Sequence, residues 1–163
     1  LGSKWAFNRF RSPYLRESLW QLGYAVDTLE TAVDWPRVTP AVQRIESALR
    51  DGLRDEGERV YPFTHLSHLY AQGSSIYTTY VYRVGGSYDQ SLARWTRLKA
   101  AASAAIVEMG GTISHQHGIG RDHAPYLPAE KGELGMQAIE ALCRHFDPER
   151  RLNPGKLLMD EEA

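Results

Sequence analysis

Along residues 24–31 polar and apolar positions alternate, with Tyr24, Val26 and Thr28 set against Ala25, Asp27 and Leu29, and this two-residue period predicts a strand. From Asp34-Trp35-Pro36 to about Glu56 the spacing becomes three-to-four. Val38, Val42, Ile45, Leu49 and Leu53 then share one face of a helix whose other side is charged. Tyr61 to Tyr70 and Ser75 to Val84, separated by Ala71-Gln72-Gly73-Ser74, predict a hairpin. Ser91 to Met109 predicts a long helix burying Leu92, Trp95, Leu98, Ala102, Ile106 and Met109. Thr112 to Ser114 reads as a short strand after Gly110-Gly111. Before all of these, Arg11 to Gly23 predicts a short helix that starts at Ser12-Pro13, groups Leu15, Leu19 and Leu22, and stops at Gly23. A last helix is predicted from about Ala129 to His145, followed by a proline-broken tail.

The order from Tyr24 to Ser114 is strand, helix, strand, strand, helix, strand, the split βαβ pattern of ferredoxin-like α+β domains. One antiparallel sheet then carries two helices on one face, and its second face needs a cover, from the flanking helices or from another domain. On the strand from Ser75, Tyr77, Thr79, Val81 and Arg83 point one way and Ile76, Thr78, Tyr80 and Tyr82 the other. Tyrosine on both faces implies that the second face meets a partner domain or a ligand.

A chain of 163 residues, 42% apolar, suits a single domain with one core. A net charge of −1 offers no general attraction to nucleic acid or anionic membranes, so any anion site is local and no nucleic-acid partner is expected. The lone cysteine, Cys143, excludes an intramolecular disulfide and suits a reducing compartment; a cytoplasmic location is expected. No apolar run approaches the roughly 18 residues of a membrane span, and Leu1 to Phe10 does not have the form of a signal peptide. The chain does not start with methionine, and it is expected to be a piece of a longer one.

The segment Met109 to Arg121 packs two imidazoles, one amide and four glycines into thirteen residues. In an extended backbone His115 and His117 project to the same side. Both can exchange protons near neutral pH, although hydrogen bonding of both to backbone is a structural alternative. A zinc site would draw on these two with His123, or with His65 and His68. No carboxylate or cysteine completes that set, and His65 and His68, three apart on a strand, should face opposite sides, so no metal site is expected. Tyr77 is a candidate acid–base or hydrogen-bonding group, while Tyr80 and Tyr82 read as core. Arg16, in the apolar stretch Pro13-Tyr14-Leu15-Arg16, calls for a phosphate or carboxylate, with an ion pair to Glu30 or Asp27 equally compatible. Gly118-Ile119-Gly120 is half of a dinucleotide fingerprint and lacks its third glycine, so no Rossmann site is expected.

Four stretches, in order, carry a resemblance that covers nearly the whole chain. They are Tyr14-Leu15-Arg16-Glu17 followed by Asp27 to Ala32 and Trp35; Ser75-Ile76-Tyr77-Thr78-Thr79-Tyr80; Gly110 to Gly120; and Leu152-Asn153-Pro154-Gly155-Lys156-Leu157-Leu158. The third resembles the Gly-Gly, Ser-His-His-His-Gly-Val-Gly run of alkyldihydroxyacetonephosphate synthases, and the fourth the terminal motif of FAD-linked oxidases of the vanillyl-alcohol-oxidase superfamily. The resemblance implies a substrate (cap) domain over 1–146 and a C-terminal tail over 147–163. It also implies a partner, an FAD-binding domain upstream in the same enzyme. In the synthases FAD exchanges the acyl chain of acyl-dihydroxyacetone phosphate for a fatty alcohol without net redox, so the implied cofactor is FAD and the implied ligand a lipid phosphate; a homodimer is compatible. By position, the resemblance implies that Arg16 holds phosphate, Tyr77 moves a proton, and His115 and His117 flank flavin and substrate. Gly118, Gly120 and Asn153 would meet the cofactor. Gln116 replaces the family's middle histidine; an amide can orient a substrate oxygen but cannot shuttle a proton. A related branch, the FAD-linked 2-hydroxy acid oxidases and dehydrogenases, has Glu-His-Gly-Ile-Gly here, with its base at the position of His117. A non-catalytic α+β binding module is the third expectation.

Overall fold

The computed structural model describes residues 2–159; Leu1 and the last four residues of the predicted tail lie outside the described residues. Two helices, α1 (Gly2–Asn8) and α2 (Ser12–Gln21), precede β1 (Tyr24–Asp34), and Gly23, with φ 82°, makes the turn between α2 and β1. The helix α3 (Trp35–Asp51) leads through a 3-10 turn to β2 (Tyr61–Leu69) and β3 (Gly73–Arg83). Then come α4 (Tyr88–Glu108) and, after a long loop, α5 (Leu127–Phe146), which is kinked at Gly132. The sheet is antiparallel with order β1-β3-β2, so the α+β class and the predicted hairpin hold.

Cross-strand neighbours share a face. Asp27, Leu29 and Thr31 on β1 oppose Tyr80, Thr78 and Ile76 on β3. This face packs on α3 and α4, whose Ile45, Leu49, Leu98, Ala102 and Ile106 are buried with Leu29, Tyr80 and Tyr82. Within this layer the Asp27 carboxylate accepts from Tyr80 Oη (2.9 Å), Trp95 Nε1 (2.8 Å) and Lys99 Nζ (3.1 Å). Burial alone would raise its pKa, but the Lys99 charge and these donors hold it below the ordinary value. Burial and Asp27 push the Tyr80 phenol well above the usual range, which fits the core reading of Tyr80.

Three expectations need correction. Leu92 is 44% exposed, and the neighbouring Arg94 is buried instead, donating to Glu56 Oε2 (2.7 Å) and to the carbonyls of Arg83 and Val84. The helix expected to run to about Glu56, α3, ends at Asp51, before Gly52, although Leu53 stays buried. Thr112 to Ser114 forms no strand. It lies along the free edge of β1, with the Thr112 N–H donating to the Ala32 carbonyl (3.2 Å) and the His115 N–H to that of Glu30 (3.0 Å). These two bonds advance three residues on the loop against two on β1, and the Thr112 carbonyl accepts from the Thr31 hydroxyl (2.7 Å), so no regular ladder forms; the Ile113 N–H, pointing away, donates to Glu130 Oε2 on α5 (2.8 Å). A Cβ at Gly111 would stand 2.4 Å from Thr31 Oγ1, so only glycine lets the loop lie this close.

The opposite face of the sheet carries Val26, Thr28 and Glu30, then Val81, Thr79 and Tyr77, then Tyr61, Phe63 and His65. It remains open. A cleft of about 1430 Å³ lies over it, bordered by Leu15, Arg16, Leu19 and Trp20 of α2, and Tyr61 is 71% exposed.

Candidate active site

At one end of this open face the register places Glu30, Tyr77 and His65 in a row across the three strands. The His65 ring stacks on Tyr77 with centroids 5.0 Å apart. The Glu30 side chain is only 3% exposed, and the loop from Gly110 delivers imidazoles to both of its oxygens. His115 Nδ1 lies 3.2 Å from Oε1 and His117 Nε2 3.2 Å from Oε2. Ser67 Oγ also donates to Oε1. Burial would raise the Glu30 pKa, but the hydroxyls of Ser67 and Ser75 and the His115 ring hold it below the ordinary value, so it is ionised at neutral pH.

An ionised carboxylate only accepts. In its neutral form each imidazole therefore carries its proton on the nitrogen facing Glu30, His115 on Nδ1 and His117 on Nε2. His115 Nε2, left as an acceptor, takes the Tyr70 hydroxyl at 2.9 Å. His117 Nδ1 keeps a bare lone pair with no polar partner among the described residues, and its ring meets Tyr77 edge-on at 5.6 Å. One carboxylate thus orients two imidazoles, and one of them presents a base beside a phenol.

The other expected residues are arranged around this centre. Arg16 is exposed, lines the cleft that Tyr77 also lines, and makes no ion pair among the described residues; Asp27 and Glu30, its alternative partners, are occupied elsewhere. Gln116 is exposed at φ 61°, a left-handed conformation rare for a side-chain-bearing residue, and its amide is unpaired among the described residues. Gly118 and Gly120 are exposed with φ of 72° and 57°, and a Cβ on either would meet nothing within 4 Å. Asn153 lies outside the cluster, on the tail. The Leu157 N–H of that tail donates to the Gly120 carbonyl (3.1 Å). His123 bonds to the Gly118 carbonyl through Nδ1 (3.3 Å), and burial followed by the Lys99 charge lowers its pKa, keeping it neutral.

Sequence reading did not assign Glu30, His65, Ser67, His68 or Tyr70 to the site. The available signal was an acidic residue midway along a strand, on the tyrosine-bearing face. For His68 the obstacle was a register shift between Leu66 and Leu69. This bulge breaks the alternation, so His68 does not turn away from the face of His65 but brings Nδ1 to 3.5 Å from Glu30 Oε1.

The alkyldihydroxyacetonephosphate synthase of Trypanosoma brucei brucei is 28% identical over 158 residues, 96% of this chain and 25% of that protein. The glycolate oxidase subunit GlcD of Bacillus subtilis (strain 168) is 47% identical over 51 residues, 31% of this chain and 11% of that protein. A solved structure of an alkyldihydroxyacetonephosphate synthase superimposes with a TM-score of 0.62 at 20% identity, covering 89% of this chain and 23% of that one, which establishes a shared fold. The chain thus spans about a quarter of the length of the synthases it matches. With residues 3–157 matched by the corresponding family model, the chain belongs to the C-terminal domain family of FAD linked oxidases.

Proposed function

We propose that this chain is the substrate-side domain of an FAD-dependent enzyme of the alkyldihydroxyacetonephosphate synthase kind, completed by an FAD-binding domain elsewhere in the same protein. The observation that carries the reading is the pair of imidazoles held by Glu30 beside Tyr77, at the end of an open aromatic cleft bordered by Arg16. A flavin fits the loop, because Gly118 and Gly120 leave their backbone bare to a planar ring. When bound, FAD supplies an electron-accepting ring next to the substrate.

The remaining roles belong to this chain. Arg16 offers a planar fork of donors to a phosphate. His117 Nδ1 takes a proton, and Glu30 stabilises the positive charge this creates; Tyr77 donates or accepts one through its hydroxyl. Gln116, which cannot titrate, orients a substrate oxygen. Leu15, Leu19, Trp20, Phe63 and Val81 give the cleft an apolar lining suited to an alkyl chain. A second reading, an FAD-dependent 2-hydroxy acid oxidoreductase, is favoured by the GlcD stretch and by the bare nitrogen of His117.

The test is anaerobic spectroscopy on the full-length parent. Release of fatty acid from acyl-dihydroxyacetone phosphate in the presence of a fatty alcohol, with no lasting loss of flavin colour, supports the synthase reading. Bleaching by a 2-hydroxy acid, reversed by an electron acceptor, supports the second. Failure of both reactions overturns both.

A further inference from the structure

We propose that Glu30, His68 and His115 form a binding site for a divalent transition-metal ion of the zinc class. This inference draws on Glu30 and His115 of the site described above, but it needs neither of the two reactions to be the right one. The three residues come from β1, the bulged end of β2 and the loop after α4, and one donor atom of each lies within 4.8 Å of the other two. Glu30 Oε1 is 3.2 Å from His115 Nδ1 and 3.5 Å from His68 Nδ1. Donors bound to zinc in a tetrahedron at about 2.0–2.1 Å stand about 3.4 Å apart, so both Glu30–histidine separations already suit an ion, and the two histidine donors, within 4.8 Å of each other, would close on it.

Charge supports the same site. Asp27, the other carboxylate held in the sheet, has Lys99 as its cation. Glu30 is more deeply buried, and its partners are imidazoles and serine hydroxyls without a lysine or arginine. A buried carboxylate held by neutral donors alone keeps its full negative charge available to an incoming cation. The outer contacts are in place as well. With His115 Nδ1 on the metal, Nε2–H would donate to Tyr70 Oη, the supporting bond that ligating histidines make. Oε2 of Glu30 would remain on His117, so His117 keeps its bare nitrogen. Two imidazoles and one carboxylate leave a coordination position for water or a substrate oxygen. The carboxylate that a zinc set from sequence lacked is Glu30.

The experiment uses the full-length protein, stripped with chelator and titrated calorimetrically with zinc chloride, with metal content measured by mass spectrometry. Cobalt(II) substitution provides a visible spectrum independent of catalysis. One zinc per chain is expected. His68→Ala, at a half-exposed side chain, should weaken binding by about 100-fold or more and abolish the cobalt bands. Glu30→Gln, checked for folding by thermal melting, should do the same. Wild-type protein that takes up no zinc overturns the site, as does zinc bound equally by both folded variants. Zinc binding is read without any flavin reaction: its loss with flavin chemistry intact removes the metal site alone, and zinc bound by a protein inert in both flavin reactions removes only the functional reading.

Discussion

Replacing Glu30 by glutamine isolates what the buried carboxylate does for the histidines. The amide keeps size and shape, and it can place its oxygen toward His117 and its NH2 toward His115, whose other nitrogen can then donate to Tyr70 Oη. The geometry survives while the charge goes. When His117 accepts a proton, a carboxylate at about 4 Å stabilises the imidazolium by about 4 kcal/mol at an effective dielectric near 20. A neutral hydrogen bond from the amide returns about 1 kcal/mol. The net loss of about 3 kcal/mol corresponds to roughly a 100-fold fall in kcat. The assay is steady-state turnover of the full-length enzyme at saturating substrate, beside a melting curve and a flavin spectrum that establish folding and cofactor content. Turnover within about threefold of wild type, in a folded and flavin-loaded variant, would refute the argument, because a base whose charge Glu30 supports cannot lose that support so cheaply.

Tyr77→Phe removes one hydroxyl while leaving the stack on His65, and turnover should fall by about a hundredfold or more if that hydroxyl moves a proton; a normal rate in the folded variant would return Tyr77 to a packing role. Arg16→Ala touches an exposed side chain, so melting should be unchanged while KM for a phosphorylated substrate rises by roughly 10- to 100-fold, from the loss of charged hydrogen bonds worth about 1.5–3 kcal/mol. An equal loss with an unphosphorylated analogue would count against phosphate recognition. Asp27 and Glu30 have folded pKa values below their ordinary 3.8 and 4.5. The stability they contribute is complete above those ordinary values and disappears as pH falls through the lower folded ones. The melting temperature should therefore hold from pH 7 to about pH 5 and drop below about pH 4. A main drop between pH 7 and pH 5, followed by circular dichroism, would assign the acid sensitivity to the histidines instead.

Much of the architecture was legible because it is periodic. The alternation on β3 correctly separated Tyr80 and Tyr82 from Tyr77, and the spacing of Ile45, Leu49 and Leu53 set the buried face of α3 even though that helix stops early. The two loop histidines could be singled out together, since glycines and imidazoles in one short stretch have few structural reasons to coincide, and the structure brings both onto one carboxylate. The centre that organises them was not. Glu30 becomes a hub only through its register opposite Tyr77, the bulge after Leu66 and a loop lying along the far side of β1, and each of these joins residues distant in sequence. Thr112 to Ser114 was misread for a related reason: its strand-like composition could not show that the Thr31 hydroxyl, distant in sequence, takes the Thr112 carbonyl and that the loop advances three residues for two on β1.

The position of that loop also bears on solubility. One side of β1 is zipped to β3, and the other would present a bare row of peptide groups to any passing strand. The Thr112 and His115 N–H groups cap two of its carbonyls, so the segment that presents the histidines also shields a sheet edge from self-association. A substitution that loosens it, such as any side chain at Gly111, should therefore give a protein that precipitates as well as one that turns over slowly. Activity lost by such a variant must be measured on its monodisperse fraction before it is ascribed to chemistry.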